Sequence, residues 1–175
     1  ITLLYKKHDR LDTKNWRPIS LLCTDYKILS KVQTNRLKSV LAFVISKSQS
    51  CGVPGRFSGS NVRTLQDIVN HCNFHQSGGA IVSLDQEKAF DRVDWVYMQK
   101  VLRHMNFGPS FCSWVKLLYT NIFSRVLANG YISGAFPVTR GVRQGCPLSP
   151  LLYIIVAETI ACAIKKDQNI DGFRL

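Results

Sequence analysis

A short apolar run that ends in a carboxylate, residues 80–85, constrains this chain more than any other feature. Residues 80–84 (A-I-V-S-L) predict a buried β-strand, and Asp85 lies at its C-terminal end. A carboxylate beside an apolar strand is costly unless a partner binds it, and hard divalent cations favour oxygen ligands. The same pattern is typical of a strand that leads into a helix, where acidic side chains favour the N-terminal dipole. The run therefore predicts a metal-binding sheet edge or an ordinary strand-to-helix turn.

The length and composition favour one globular domain. The chain has 175 residues, and 46% of them are hydrophobic, which is enough for a sizeable core. No apolar run approaches the roughly 20 residues that span a bilayer, so we expect no membrane-spanning segment.

The net charge of +12 indicates a polyanionic partner, either a nucleic acid or an anionic surface. The charge is uneven, because residues 1–63 hold twelve Lys and Arg against three acids. The basic first third and the carboxylates that follow it predict a protein that holds a phosphate backbone beside a metal site.

The six cysteines match no zinc or disulfide framework, and we expect them to be reduced in an intracellular protein. His71, Cys72 and His75 form an H-C-x-x-H cluster at helical spacing. Such a cluster predicts either a metal site or, in the absence of a further ligand nearby, a solvated helix face.

Hydrophobic periodicity and turn signals predict a mixed α+β fold. The predicted elements are strands at 1–5 and 17–22, a helix that starts at Thr24 or Asp25, a helix from about Ser60, the 80–85 strand, helices after Asp94 and after Ser110, a hairpin around Asn129-Gly130, and a last helix at about 149–165.

A glycine-rich stretch, R-G-V-R-Q-G-C-P-L-S-P at 140–150, is the second informative motif. Gly141 and Gly145 permit positive φ and close approach of a ligand to the backbone. Gln144 supplies an amide that can both donate and accept, and the stretch leads into a helix whose N-terminus favours anions. These features predict a binding loop.

Taken together, the motifs resemble the reverse transcriptase domain of LINE-type, non-LTR retrotransposons. The resemblance rests on Lys6, R-P-I-S-L at 17–21, G-V-P-G-R at 52–56, L-D-Q-E-K-A-F-D at 84–91 and R-Q-G-C-P-L-S-P at 143–150, in that order. It implies a right-hand polymerase fold without a thumb. Residues 1–79 would form a portion of the fingers, and residues 80–175 a partial palm that is incomplete at both ends.

The implied reaction is RNA-directed DNA synthesis by two-metal nucleotidyl transfer. Asp85 matches the first catalytic aspartate, and the backbone carbonyl of Gln86 would be a neighbouring ligand of Mg²⁺, or of Mn²⁺ in its place. Phe90 matches the steric gate that discriminates dNTPs from rNTPs by excluding a 2′-hydroxyl, and a simple core residue is the alternative.

The remaining positions of the resemblance concern the nucleotide and the template. Lys6 and Arg17 resemble the cations that neutralise the triphosphate, and an exposed structural cation is the alternative for each. Gln144 and Gly145 resemble the motif that lines the nucleotide pocket. Arg56 lies in a fingers motif, where it either contacts the template or holds its loop.

In the family, two further catalytic aspartates lie in an Ala-Asp-Asp motif after the final helix. The chain contains no Asp-Asp pair, and Asp171 stands alone beside Gly172. We therefore expect the isolated chain to be inactive.

The implied partners are an RNA template, a DNA primer, dNTPs and the rest of a polyprotein with endonuclease, palm and thumb segments. The implied localisation is intracellular, in cytoplasm and nucleus. A non-catalytic nucleic-acid-binding remnant and a group II intron maturase-like reverse transcriptase are the alternatives.

Overall fold

Five α-helices and two small sheets make up the computed structural model, which describes residues 1–170 and 172–173. Asp171, weighed above as a stray carboxylate, lies outside the described residues. The helices are α1 (Thr24–Val44), α2 (Ser58–Phe74), α3 (Trp95–His104), α4 (Pro109–Leu118) and α5 (Ser149–Lys166). The strands are β1 (Thr2–Tyr5), β2 (Trp16–Ile19), β3 (Phe123–Ser124), β4 (Leu127–Ala128), β5 (Tyr131–Ile132) and β6 (Phe136–Pro137). This mixture confirms the predicted α+β class.

The larger sheet joins the beginning of the chain to its middle. Its strand order is β2-β1-β4-β5, with β1 antiparallel to β2 and parallel to β4, while β3 pairs with β6 in a separate ladder. The turn between β4 and β5 is Asn129-Gly130, with φ of 50° and 81°. Both angles are positive, as a type I′ turn requires, so the predicted hairpin is confirmed.

Helix α5 runs through the core. Leu152 and Ile155 are fully buried on it, and they belong to the same cluster as Leu41 of α1, Leu102 of α3 and Val115 of α4. Its first turn carries Pro at N1 or N2, where the missing N–H costs nothing. The final helix is thus confirmed in place, and it packs against α1 and α3.

The predicted buried strand at 80–85 is not formed. Residues 79–86 have no regular secondary structure, and the side chains of Ile81, Val82 and Leu84 are 62%, 76% and 79% exposed. A strand needs a neighbour to accept its backbone hydrogen bonds, and neither sheet of the described residues includes this run. The prediction of a buried strand at 80–85 is therefore wrong for the described residues.

Helix α1 begins at Thr24, as predicted, but neither Thr24 nor Asp25 caps it. Its N-cap is Cys23, which makes no side-chain cap hydrogen bond. Helix α2 begins at Ser58, two residues before the predicted start, and none of its residues is buried.

No helix in the described part of the chain is both long enough and apolar enough to cross a membrane. The six cysteines are all free, and Cys112 and Cys146 are buried.

Arg56 and Glu158 hold the turn after α1 from opposite sides. The Arg56 guanidinium donates to the carbonyl oxygens of Ala42 (2.9 Å), Ile45 (2.8 Å), Gln49 (2.7 Å) and Ser46. Glu158 of α5, which is 1% exposed, accepts from the Ser46 backbone N–H at 3.1 Å. Since α1 has no basic residue in its last turn, Arg56 supplies the cation that a helix C-terminus favours.

Replacing Arg56 with Lys should lower the free energy of unfolding by about 1–3 kcal/mol, because Lys keeps the charge but cannot span four carbonyls. Urea denaturation measures this loss. Arg63→Lys, on the exposed face of α2, is the matched control and should change stability little. Equal effects of the two substitutions would contradict this account of the turn.

Candidate active site

The predicted catalytic, gate and pocket residues lie where three segments meet at the beginning of α5. These segments are the 85–92 stretch, the 140–145 loop and the β1–β2 hairpin. The backbone N–H of Val142 donates to the carbonyl of Phe90 at 2.7 Å, and the N–H of Ser20 donates to the carbonyl of Gln144 at 2.8 Å. The 140–145 loop is therefore hydrogen-bonded to both other segments.

Asp85 and Gln86 are exposed, and a tyrosine of α5 lies beside them. The hydroxyl of Tyr153 donates to Oε1 of Gln86 at 2.6 Å. Burial raises the pKa of the Tyr153 phenol, and the nearby Asp85 carboxylate raises it further. Among the described residues the sole ion pair is Arg92–Glu87, so the Asp85 carboxylate has no cationic side-chain partner there.

Phe90 lies in a short 3₁₀ helix, Ala89–Arg92, that follows Lys88 in the left-handed conformation. Its ring is half-buried, with its centroid 5.2 Å from that of Tyr153 and the ring planes inclined by 39°. Phe90 also packs against the hydrophobic core. One face of this ring is thus supported by α5, close to the Asp85–Gln86 pair.

The two glycines of the loop lie against protein backbone. Gly141 has φ of +92°, and a Cβ there would lie 3.1 Å from the Cα and carbonyl oxygen of Asp91. Gly145 has φ of +104°, and a Cβ there would lie 2.8 Å from the carbonyl oxygen of Ser20. The predicted positive φ is confirmed at both positions, and the close approach that they permit is made by the chain itself.

Arg143 anchors the loop in the core, a role that the motif alone did not reveal. Its Nη1 donates to the Tyr26 hydroxyl and, at 3.0 Å, to the carbonyl of Leu118. Its guanidinium lies over the rings of Tyr26 and Tyr119, at 4.7 and 5.5 Å from their centroids. Burial raises the pKa of Tyr26 above its usual range and that of Tyr119 to about 12, so both rings are neutral at pH 7.

Gln144 lines a cavity of about 220 Å³ between the loop and the hairpin. Pro18, Ser20, Asp91 and Arg140 are also in its wall. Of the residues that the sequence assigns to the nucleotide, Gln144 alone lines this cavity, and Lys6, Arg17, Phe90 and Gly145 do not.

Lys6 and Arg17 are exposed on the β1–β2 hairpin. Arg17 pairs with Leu4, and the N–H of Lys6 donates to the carbonyl of Asn15 at 2.8 Å, which extends the ladder. Alternation along β1 puts Leu4 and Lys6 on one side, so Lys6 and Arg17 share a face of the hairpin. In the described part of the chain neither side chain forms a hydrogen bond or an ion pair.

Arg56 lies apart from this cluster, on the turn after α1. Its guanidinium donates to four backbone carbonyls, and such contacts are expected of a residue that holds its loop. Contact with a template stays a prediction.

Asp85 and Gln86 fit Mg²⁺ in the type of ligand that they offer, because both present oxygen donors. Within the described residues no group of three His, Cys, Asp or Glu side chains could hold a metal ion. By itself the pair offers fewer ligands than the octahedral shell of Mg²⁺ takes. In the described part of the chain the His71–His75 pair, whose ring centroids are 4.3 Å apart, likewise has no third metal ligand beside it.

Comparison with protein families gives the class. The family model for reverse transcriptase (RNA-dependent DNA polymerase) matches residues 5–172. The chain therefore belongs to the reverse transcriptase family.

The curated relatives define the branch. The chain is 45% identical over 166 residues to the transposon TX1 uncharacterized 149 kDa protein of Xenopus laevis, which covers 95% of this chain and 13% of that protein. It is 31% identical over 162 residues to the RNA-directed DNA polymerase from mobile element jockey of Drosophila melanogaster, which covers 83% and 16%. It is 23% identical over 172 residues to a Pol polyprotein from the type-1 retrotransposable element R2 of Popillia japonica, which covers 98% and 24%. These relatives are non-LTR retrotransposon proteins, so the chain is a LINE-type reverse transcriptase domain that spans at most about a quarter of their length.

Replacing Gly145 with Ala should destabilise the protein by about 1–3 kcal/mol, because the backbone is left-handed there and the new Cβ would overlap the Ser20 carbonyl. Thermal unfolding measures the loss. Gly134→Ala is the control, since its Cβ would meet no atom within 4 Å. If Gly145→Ala is tolerated as well as Gly134→Ala, the loop does not depend on this contact.

Proposed function

We propose that this chain supplies the nucleotide-binding side of the active site of an RNA-directed DNA polymerase. The observation that carries the proposal is the grouping of a carboxylate without a cationic partner, Asp85, with the α5-supported ring of Phe90 and the glycine loop at 140–145. The family match supports the reaction class.

In the proposed reaction, a bond forms between the primer 3′-oxygen and the α-phosphorus of a dNTP, and the bond from that phosphorus to pyrophosphate breaks. Asp85 and the Gln86 carbonyl would hold Mg²⁺. When bound, that ion supplies Lewis-acid stabilisation of charge on the attacking and leaving oxygens. The protein's share of the work is positioning and fixed electrostatics.

Each of the other predicted residues has a role that its placement supports. Lys6 and Arg17, on one hairpin face without internal partners, are available to the triphosphate. The ring of Phe90 would lie under the sugar and exclude a 2′-hydroxyl by shape. Gln144 and Gly145 would border the nucleotide between loop and hairpin.

We further propose that residues 1–175 alone do not extend a primer. A two-metal site takes more carboxylates than Asp85 provides, and the chain contains no Asp-Asp pair. The remaining palm, the thumb and an endonuclease of a longer polyprotein are the proposed partners, together with the RNA template and DNA primer.

Asp85→Asn, in the full natural protein that carries this domain, should lower Mg²⁺-dependent primer extension on an RNA template by about 10²–10³-fold or more, because it removes the metal-binding charge at nearly constant volume. Asp67→Asn on the exposed α2 is the matched control and should leave extension unchanged. Extension that persists in Asp85→Asn would refute the assignment of the catalytic carboxylate.

The charge distribution favours one second candidate, a nucleic-acid-binding module without catalysis. Residues 1–63 carry a net charge of +9. In that part of the chain the structure has no ion pair between the basic side chains and a carboxylate. Such a surface binds a phosphate backbone without sequence preference.

The second candidate predicts RNA binding that weakens by about 10-fold or more between 50 and 200 mM salt, because bound counterions are released from the phosphates. A filter-binding titration measures it. In a non-catalytic module, Asp85→Asn leaves RNA binding unchanged, and the full natural protein shows no primer extension at any Mg²⁺ or dNTP concentration. Primer extension by the full natural protein would exclude this candidate.

A further inference from the structure

We propose that Tyr153 is a positioning residue that couples the Asp85–Gln86 pair to the Phe90 ring and so helps to set the preference for dNTPs over rNTPs. The inference deepens the proposed function and rests on it. Its basis is one side chain that meets two predicted site residues: the hydroxyl donates to Gln86 Oε1 at 2.6 Å, and the ring lies 5.2 Å from that of Phe90.

The segment that carries Asp85 depends on this contact. Residues 79–86 form neither helix nor strand, and most of their side chains are exposed. Within the described residues, two side-chain hydrogen bonds tie residues 85–87 to the rest of the fold, Tyr153 to Gln86 and Arg92 to Glu87. The second reaches only five residues along the chain, so Tyr153 provides the link to a core helix.

The backbone of Tyr153 is fixed by the core, and its half-buried ring packs against the core cluster. It lies on α5 between Leu152, which is fully buried, and Ile154, which is 7% exposed. A side chain at this point inherits the position of the core, because close packing leaves helices little freedom to shift. The hydroxyl therefore ties Gln86 to a core helix, although the two residues are 67 positions apart in the sequence.

The ring supports the gate. Discrimination by shape works only if the gate ring resists displacement by the extra hydroxyl of a ribonucleotide. Phe90 has the Tyr153 ring against it, and removing that ring would leave space into which Phe90 can move. Ring and hydroxyl therefore make separable contributions, the ring to sugar selection and the hydroxyl to placement of Gln86.

Two substitutions separate these contributions. Tyr153→Phe keeps the ring and should lower kcat for dNTPs about 5–10-fold and raise the Mg²⁺ concentration at half-maximal rate, with the ratio of kcat/KM for dNTP to that for rNTP nearly unchanged. Tyr153→Leu removes the ring and should lower that ratio about 10-fold or more. The full natural protein is used for both.

Tyr97→Phe is the matched control. The hydroxyl of Tyr97, on α3, donates to Thr159 Oγ1 of α5 at 2.8 Å. Tyr97→Phe therefore also removes a hydrogen bond from a tyrosine hydroxyl, in this case one made to α5. It should alter neither the dNTP-to-rNTP ratio nor the Mg²⁺ dependence. A change in Tyr97→Phe equal to that in the Tyr153 variants would show a general effect of stability and overturn the inference.

A measurement without metal or nucleotide distinguishes failure of this inference from failure of the proposed function. The backbone amide of Asp91 donates to the Lys88 carbonyl at 2.9 Å, and that of Val142 donates to the Phe90 carbonyl at 2.7 Å. Hydrogen exchange of these two amides should accelerate in Tyr153→Phe and not in Tyr97→Phe. Unchanged exchange overturns the positioning role whether or not the protein is a polymerase. If exchange is faster in Tyr153→Phe but the full natural protein never extends primers, the tether is kept and the polymerase assignment is refuted. Normal extension with an unchanged dNTP-to-rNTP ratio in Tyr153→Leu overturns the link to the gate.

Discussion

Burial of α5 is the constraint on which the rest of this structure depends. The helix brings fully buried Leu152 and Ile155 into the cluster that α1, α3 and α4 complete. Burying an aliphatic side chain of this size contributes roughly 1.5–3 kcal/mol, so displacing the helix would expose much of the core. Three polar side chains of α5 form hydrogen bonds to other segments. Tyr153 donates to Gln86, Glu158 accepts from the turn after α1, and Thr159 accepts from Tyr97.

The candidate site is organised from the protein's own backbone. The glycine loop is closed against Asp91 and against Ser20, and the Arg143 guanidinium anchors it over two neutral tyrosine rings. A loop fixed at three points can present Gln144 without a bound ligand, and the nucleotidyl transfer that we propose would depend on such preorganisation. Asp85, Lys6 and Arg17 are exposed and charged, as are Lys88, Asp91 and Arg140 of the neighbouring segments. The first three are the ones that we propose for the metal ion and the triphosphate.

The sequence predicted the parts of the fold that short-range physics controls. The Asn129-Gly130 turn, the start of α5 at Ser149 and the helix after Asp94 were predictable because each depends on one or two residues: a positive φ, a proline in the first turn, and a side chain that accepts from Tyr97 at 2.7 Å. The 80–85 run was misjudged because an apolar pattern predicts a need for burial, whereas burial itself takes a neighbouring strand. The four carbonyl partners of Arg56 could not be predicted from its motif, because they depend on how the turn after α1 folds around the guanidinium.

Sequence by itself determined the class of the protein, the order of its five helices and the identity of the motif residues, since motifs and helical periodicity are recognised from residue types and spacing alone. Tertiary structure alone decided which residues act on one another. Tyr153 and Gln86 are 67 residues apart, and Arg143 and Tyr26 are 117 apart. Neither pair carries a local signal, because an aromatic residue on a helix and an arginine before a glycine fit many environments equally well. Only the packing of α5 brings the first pair together, and only the folding of the glycine loop onto α1 and α4 brings the second.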